Sequence, residues 1–255
     1  GELYGNPSSM HNFGGQVAKH LVIAREKVAA MFNVDPDEIV FTSCGSESNN
    51  HAIRGVLESN KEKRHIVTTK VEHPAVLNVY RFLAKNKGYK ITELGVNKQG
   101  DLNLDELKTV LSPDTALLSV MAANNETGNI FPVKEIAEIA KEKNVVFHTD
   151  AVQAAGKIPL DLKKIPVDLL SLSGHKLHTP KGIGALYIRR GTAITPFIIG
   201  GHQENGRRGG TENVPYIIGL GKACEEAVAH MNEEAGHVSK LRDKLEAGLR
   251  SVITH

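Results

Sequence analysis

A lysine between two histidines and a serine, at the end of a largely apolar run, is where this chain first offers chemistry. Residues 171–181 read Ser-Leu-Ser-Gly-His-Lys-Leu-His-Thr-Pro-Lys. The run 167–172 has the composition of a buried strand, and Gly174 turns the chain just before Lys176. Taking an ammonium out of water is costly. That cost becomes useful where the amine must be neutral enough to attack a carbonyl and form an imine.

Imine chemistry of this kind points to pyridoxal phosphate (PLP), and three further features could supply what PLP needs. Its pyridine nitrogen needs a carboxylate, so that the ring stays protonated and can accept electrons. The stretch 144–150 ends an apolar strand on Asp150, and Gln153 follows three residues later, within reach of a ring hydroxyl. The phosphate needs free N–H groups and a hydroxyl. The strand 38–43 runs into Cys44-Gly45-Ser46 and a helix that starts near Asn49, an anion site with Ser46 as its best hydroxyl. His73, just ahead of Pro74 at a helix start, could stack on a ring and carry protons. Each feature also has an ordinary reading. Asp150 could be a turn or cap residue, Ser46 and Asn49 a capping pair, and His73 a solvated loop residue.

Six strings in order bear on that choice: Phe-Thr-Ser-Cys-Gly-Ser-Glu-Ser-Asn-Asn (41–50), Val-Glu-His-Pro (71–74), Asn-Asn-Glu-Thr-Gly (124–128), His-Thr-Asp-Ala-Val-Gln (148–153), Ser-Gly-His-Lys (173–176) and Arg-Gly-Gly-Thr (208–211). With them the chain resembles, from 5–9 to its last helix, the cysteine desulfurases of iron–sulfur cluster and nitrogenase assembly. These are class V aminotransferase relatives among the fold-type I PLP enzymes. The resemblance implies that Lys176 carries the cofactor, Asp150 binds the pyridine nitrogen and Gln153 the ring oxygen. It implies that His73 stacks on the ring and that Gly45, Ser46, Ser173 and His175 hold the phosphate. Asn125 would lie near the ring oxygen and substrate, Asn6 at the substrate pocket, and Thr211 against the phosphate of a neighbouring subunit. Lys176 and His73 would be the catalytic groups. The partners implied are L-cysteine, a sulfur-acceptor or iron–sulfur scaffold protein, and a second copy in a homodimer with shared active sites.

The resemblance also implies parts that the 255 residues do not show: an opening segment, and a C-terminal domain with the nucleophilic cysteine and a carboxylate-binding arginine. Neither Cys44 nor Cys224 sits in such a loop; both read as small, buried or half-buried residues. The expectation is a PLP-binding large domain over 1–220 and a helix over 221–255 leading towards a small domain. This chain would bind PLP without turning over cysteine. A selenocysteine lyase or other fold-type I aminotransferase, and a non-catalytic PLP-binding fragment, are the alternatives.

Other classes are poorly supported. Gly182-Ile-Gly184 and Gly219-Leu-Gly221 both lack the third glycine of a dinucleotide fingerprint, and no Walker loop occurs. His175 and His178 lack the further ligands that zinc needs. A net charge of +2 without a basic block gives no nucleic-acid signal, and no stretch is apolar over a membrane-spanning length. Two cysteines suit a reducing compartment, and a cytoplasmic location is expected.

These groups need a scaffold that brings strand ends together. Strands are expected at 38–43, 65–69, 90–96, 115–122, 145–150, 167–173 and 183–190, alternating with helices at 47–59, 74–87, 104–111 and 132–143. A leading helix is expected at 14–32, and a long one at 214–252 with a break near Gly236. The pattern predicts an α/β fold: three layers, α-β-α, around a mainly parallel seven-stranded sheet of the fold-type I large-domain kind. The short link after 173 makes the last two strands an antiparallel pair.

Overall fold

The computed structural model describes residues 5–8 and 12–253. Ser9 of the 5–9 string lies outside them. Short, largely buried runs build seven strands: β1 (Ile39–Thr42), β2 (His65–Thr69), β3 (Lys90–Leu94), β4 (Thr115–Ser119), β5 (Val146–Asp150), β6 (Leu169–Ser173) and β7 (Gly184–Ile188). They form one sheet in the order β1-β7-β6-β5-β4-β2-β3. β7 runs antiparallel to both its neighbours, and every other pair is parallel. The expected antiparallel pair follows from the short 3₁₀ turn Gly174–Leu177, which leaves no room for a crossover.

Side chains alternate across the sheet, so each strand feeds two cores. On one face Val67, Leu118, Phe147 and Leu170 pack with α1 (Asn12–Phe32), α5 (Val133–Glu142) and α6 (Val214–Val252). On the other, Ile66, Leu117, Leu169 and Leu186 pack with α2 (Gly45–Ser59) and α3 (Pro74–Lys87). A shorter α4 (Leu104–Val110) adds Leu107 to the first core, and its Asn103 cap accepts from the Asp105 and Glu106 N–H groups. The predicted three layers are therefore present.

Two boundaries differ from the sequence expectation. α6 is continuous through Gly236, because a glycine on an exposed helix face costs some stability without stopping the helix. Its start is held by packing: a Cβ on Gly221 would lie 2.7 Å from Ala24 Cα, so the glycine lets α6 and α1 approach closely. α2 starts at Gly45, earlier than expected, because Glu47 Oε2 accepts from Ser43 N at 2.8 Å and folds the turn back on itself.

Candidate active site

Parallel strands β1, β2, β4, β5 and β6 all end on one edge, where open α/β sheets place their ligands. A cleft of about 200 Å³ opens there. Gly45, Ser46, His73, Asn125, Asp150, Gln153, Ser173, His175 and Lys176 all line it. Residues spread over more than a hundred positions thus converge as the motifs implied.

Asp150 closes β5 and is 5% exposed. Its Oδ2 accepts from Asn49 Nδ2 at 2.7 Å and its Oδ1 from Val152 N at 3.0 Å. Burial raises its pKa, opposed by these two hydrogen bonds and by His73. Asp150 is therefore a buried acid partly prepared for a positive partner, which a plain turn residue would not be. The sequence suggests Asn49 as a helix-start residue, whereas it lies one turn inside α2 and reaches across to β5.

The N-terminus of α2 opens onto the cleft without a side-chain cap. Ser46 is not the cap, since Cys44 occupies that position, so the capping reading of Ser46 fails. Free N–H groups remain at the positive end of a 15-residue helix. Gly45 is buried in this turn. A Cβ there would lie 3.0 Å from Val152 Cγ2 and 3.2 Å from Ser173 Cβ, so the backbone passes close to these side chains. Ser173 Oγ and His175 Nδ1 are 2.9 Å apart on the opposite side of that turn. Burial lowers the His175 pKa, and the Lys176 and Lys181 charges add to the effect.

Lys176 sits half-buried in the 3₁₀ turn after β6, the one lysine among the residues lining the cleft. A Cβ on Gly174 would lie within van der Waals radii of Thr179 and Ile183, so the turn that presents Lys176 requires glycine. His73 is the N-cap of α3, with Pro74 first in the helix. Its Nδ1 accepts from Ala75 N at 3.1 Å, which places the ring proton of the neutral form on Nε2. Gln153 Oε1 accepts from Lys157 Nζ at 3.2 Å, and Asn125 Nδ2 donates to Glu126 Oε1 at 2.7 Å.

Two expected residues lie elsewhere. Thr211 lines a separate recess with Ser43, Glu204 and Arg208. Asn6 accepts from Ser8 N at 2.9 Å through its side chain and does not line the cleft. The loop before Thr211 is pinned by two ion pairs that the sequence did not reveal. Arg25 holds Glu204 at 2.7 and 2.8 Å, and Arg208 Nε is 2.9 Å from Glu47 Oε1. Burial would raise the Glu47 pKa, but hydrogen bonds from Arg208 and Ser43 outweigh it and hold the carboxyl low.

The sheet order and the lysine–aspartate cleft at its carboxyl edge define an α/β protein of the PLP-dependent transferase kind. Comparison with known proteins agrees: residues 1–254 match the family described as Aminotransferase class-V, and the chain belongs to that family. It is 56% identical over 252 residues to a cysteine desulfurase of Nostoc sp., covering 99% of this chain and 63% of that protein. Among solved structures, a NifS-like protein matches with a TM-score of 0.96 and 48% identity over 100% of this chain and 70% of the other. A structure of SspA in complex with cysteine matches with a TM-score of 0.84 and 40% identity, over 88% and 65% of the two chains. The chain thus spans about 63% of the curated relative's length.

The cofactor of these class-V cysteine desulfurases is PLP. The residues present fit it: a buried carboxyl for the ring nitrogen, an uncapped helix N-terminus with a glycine cradle for the phosphate, and a lysine on the same cleft.

Proposed function

We propose that this chain is the cofactor-binding part of a cysteine desulfurase, which takes L-cysteine and yields L-alanine and sulfur for iron–sulfur cluster assembly. The observation that carries the reading is the convergence of Lys176 and the Asn49-braced Asp150 on one cleft. Identity to a cysteine desulfurase and likeness to a cysteine-bound structure support the substrate.

When bound, PLP supplies an electron sink for the bond electrons released at the substrate's α-carbon. Lys176 Nζ would be the attachment point and the base for the α-proton. Asp150 would accept the ring N–H and stabilise its charge, and Gln153 and Asn125 would hold the ring oxygen. His73, with its neutral-form proton on Nε2, would meet the ring and be a second proton carrier. The N–H groups of the α2 start would hold the phosphate, with Ser46, Ser173 and His175.

Sulfur release needs a thiolate that can attack the substrate sulfur. Cys224 is unsuited to this: it is buried in α6, and burial pushes its thiol pKa up to about 12. Cys44 is half-buried at the N-cap of α2 and lines the cleft, at the place assigned to the phosphate. These 255 residues are assigned cofactor binding and α-proton removal.

A homodimer accounts for Thr211, whose recess is separate from its own chain's cleft. Thr211 then serves the phosphate of the partner's site. The sulfur goes to an acceptor or scaffold protein in a reducing compartment, the cytoplasm.

An absorbance titration with PLP tests the core of this reading. A visible band that appears with PLP and is lost in Lys176→Ala is expected. An identical band in that variant would remove the attachment assignment. Alanine and sulfide release from the 255-residue chain at rates normal for a desulfurase would show that sulfur turnover needs nothing more.

A further inference from the structure

Glu72 precedes His73 and is 4% exposed. Its Oε1 accepts from Thr69 Oγ1 at 2.8 Å and from Met121 N at 2.9 Å. Its other oxygen, Oε2, is buried and has no hydrogen-bond partner among the described residues. A carboxylate with a bare buried oxygen is costly, whereas a carboxylic acid at the same place is far less so. The titratable groups within its electrostatic reach are Asp150 from β5 and Tyr80 from α3. Tyr80 Oη is itself buried without a hydrogen bond of normal geometry. Among the described residues, no cation contributes to the charge balance at Glu72. Burial pushes its pKa up to about 8 against its two hydrogen bonds, and the Asp150 charge adds to the push.

The two hydrogen bonds have a geometric consequence. Glu72 belongs to the β2–α3 turn that presents His73, and Met121 lies just past β4 on the way to Asn125. Asn124 Nδ2 adds a parallel tie, donating to Val71 O at 3.0 Å. Two walls of the cleft are thereby joined behind the cofactor-facing residues.

We propose that Glu72 is a positioning residue for the cofactor: as a neutral carboxylic acid it ties the His73 turn to the backbone leaving β4, and it keeps a second negative charge away from Asp150. This rests on the PLP reading above for its purpose, though not for the state of the proton. A neutral Glu72 leaves Asp150 as the single anion facing the pyridine nitrogen. An ionised one would pull Asp150 towards its protonated form and weaken its hold on the ring.

Glu72→Gln and Glu72→Leu separate the two parts. Glutamine keeps an acceptor for Met121 N and Thr69 and supplies a neutral donor in place of the acid. Infrared difference spectra at pH 7 between the wild-type chain and Glu72→Gln, without PLP, should show a protonated carboxyl band in the wild type alone. Asp150→Asn, measured alongside, assigns any second band. PLP titrations should give Glu72→Gln an affinity within about twofold of wild type and an unchanged pH midpoint for the visible band. Glu72→Leu should bind roughly tenfold more weakly or worse, since it leaves the Met121 N–H unpaired. Absence of the infrared band, or a Glu72→Gln pH midpoint displaced from wild type, would overturn the neutral acid. Wild-type affinity in Glu72→Leu would overturn the positioning role. A wild-type chain that bound no PLP would instead sink the functional reading, and the infrared band would still decide the proton.

Discussion

Asn49 Nδ2 donates to Asp150 Oδ2 at 2.7 Å, joining the first turns of α2 to the carboxyl end of β5. The helix whose N-terminus is proposed to hold the phosphate therefore also braces the acid proposed to meet the ring nitrogen. A hydrogen bond to an ionised group is worth about 1.5–3 kcal/mol. Asn49→Leu should therefore raise the dissociation constant for PLP by roughly tenfold to a hundredfold. Burial already raises the Asp150 pKa, and losing this donor should raise it further. The visible band of the bound cofactor should then become more sensitive to acid. A PLP titration across pH checks both effects, and an unchanged affinity would mean that the amide is only a spacer.

Gly45 allows a test of the phosphate cradle. Its absent Cβ would press on Val152 Cγ2 at 3.0 Å and Ser173 Cβ at 3.2 Å. To admit a methyl group there, Val152 and Ser173 must give by a few tenths of an ångström. Gly45→Ala should weaken binding of PLP more than binding of pyridoxal, which has no phosphate. Equal losses for the two ligands would place the strain elsewhere than at the anion site.

Lys176 and Asp150 were legible because Asp150 closes one apolar strand and Lys176 follows the end of the next, and strand ends in a parallel sheet share one edge. The layers followed from periodicity, and the antiparallel β6–β7 pair from the short link between them. Asn49 was not legible, because its meaning depends on where α2 begins. Glu47 folds back onto Ser43 N and starts the helix early, which turns Asn49 inward. Glu72 reads in sequence as a loop acid. Only the passage of the chain beyond β4 buries it. The Glu204 clamp was hidden for a different reason: Glu204 and Asn205 take left-handed φ values of 50° and 57°, which no local pattern in that glycine-rich loop announces.

That clamp gives a stability prediction. The Glu204 side chain is 2% exposed and receives Arg25 through both oxygens, with Phe41 N donating to Oε2 at 2.9 Å. Removing one partner of a buried pair strands the other charge, at a cost of about 3–5 kcal/mol. Arg25→Met should lower the urea midpoint substantially and loosen the loop that carries Thr211. Lys222→Ala breaks an exposed pair with Glu225 and should leave the midpoint nearly unchanged. Similar small losses in both variants would show that the clamp contributes little.

His148 makes the stability of the apo chain depend on acid. It is fully buried in β5, with its ring nitrogens 2.8 Å from Ser119 Oγ and 2.9 Å from Ser171 Oγ. Burial pushes its pKa down to about 3 from an ordinary 6.5. The unfolded chain therefore takes up this proton first. The contribution of His148 is complete above pH 6.5 and is lost as pH falls towards 3, at about 1.4 kcal/mol per pH unit. His51, pushed down to about 4 by burial, acts in the same direction. Glu72 acts oppositely: its folded pKa of about 8 exceeds the ordinary 4.5, so its contribution is complete below pH 4.5 and fades as pH rises through 8. The wild-type curve mixes these effects, and His148→Gln isolates one of them. Between pH 6.5 and 4.5, urea unfolding should show the wild type losing stability about one proton's worth per pH unit faster than the variant. Parallel curves would mean that His148 keeps an ordinary pKa inside the sheet.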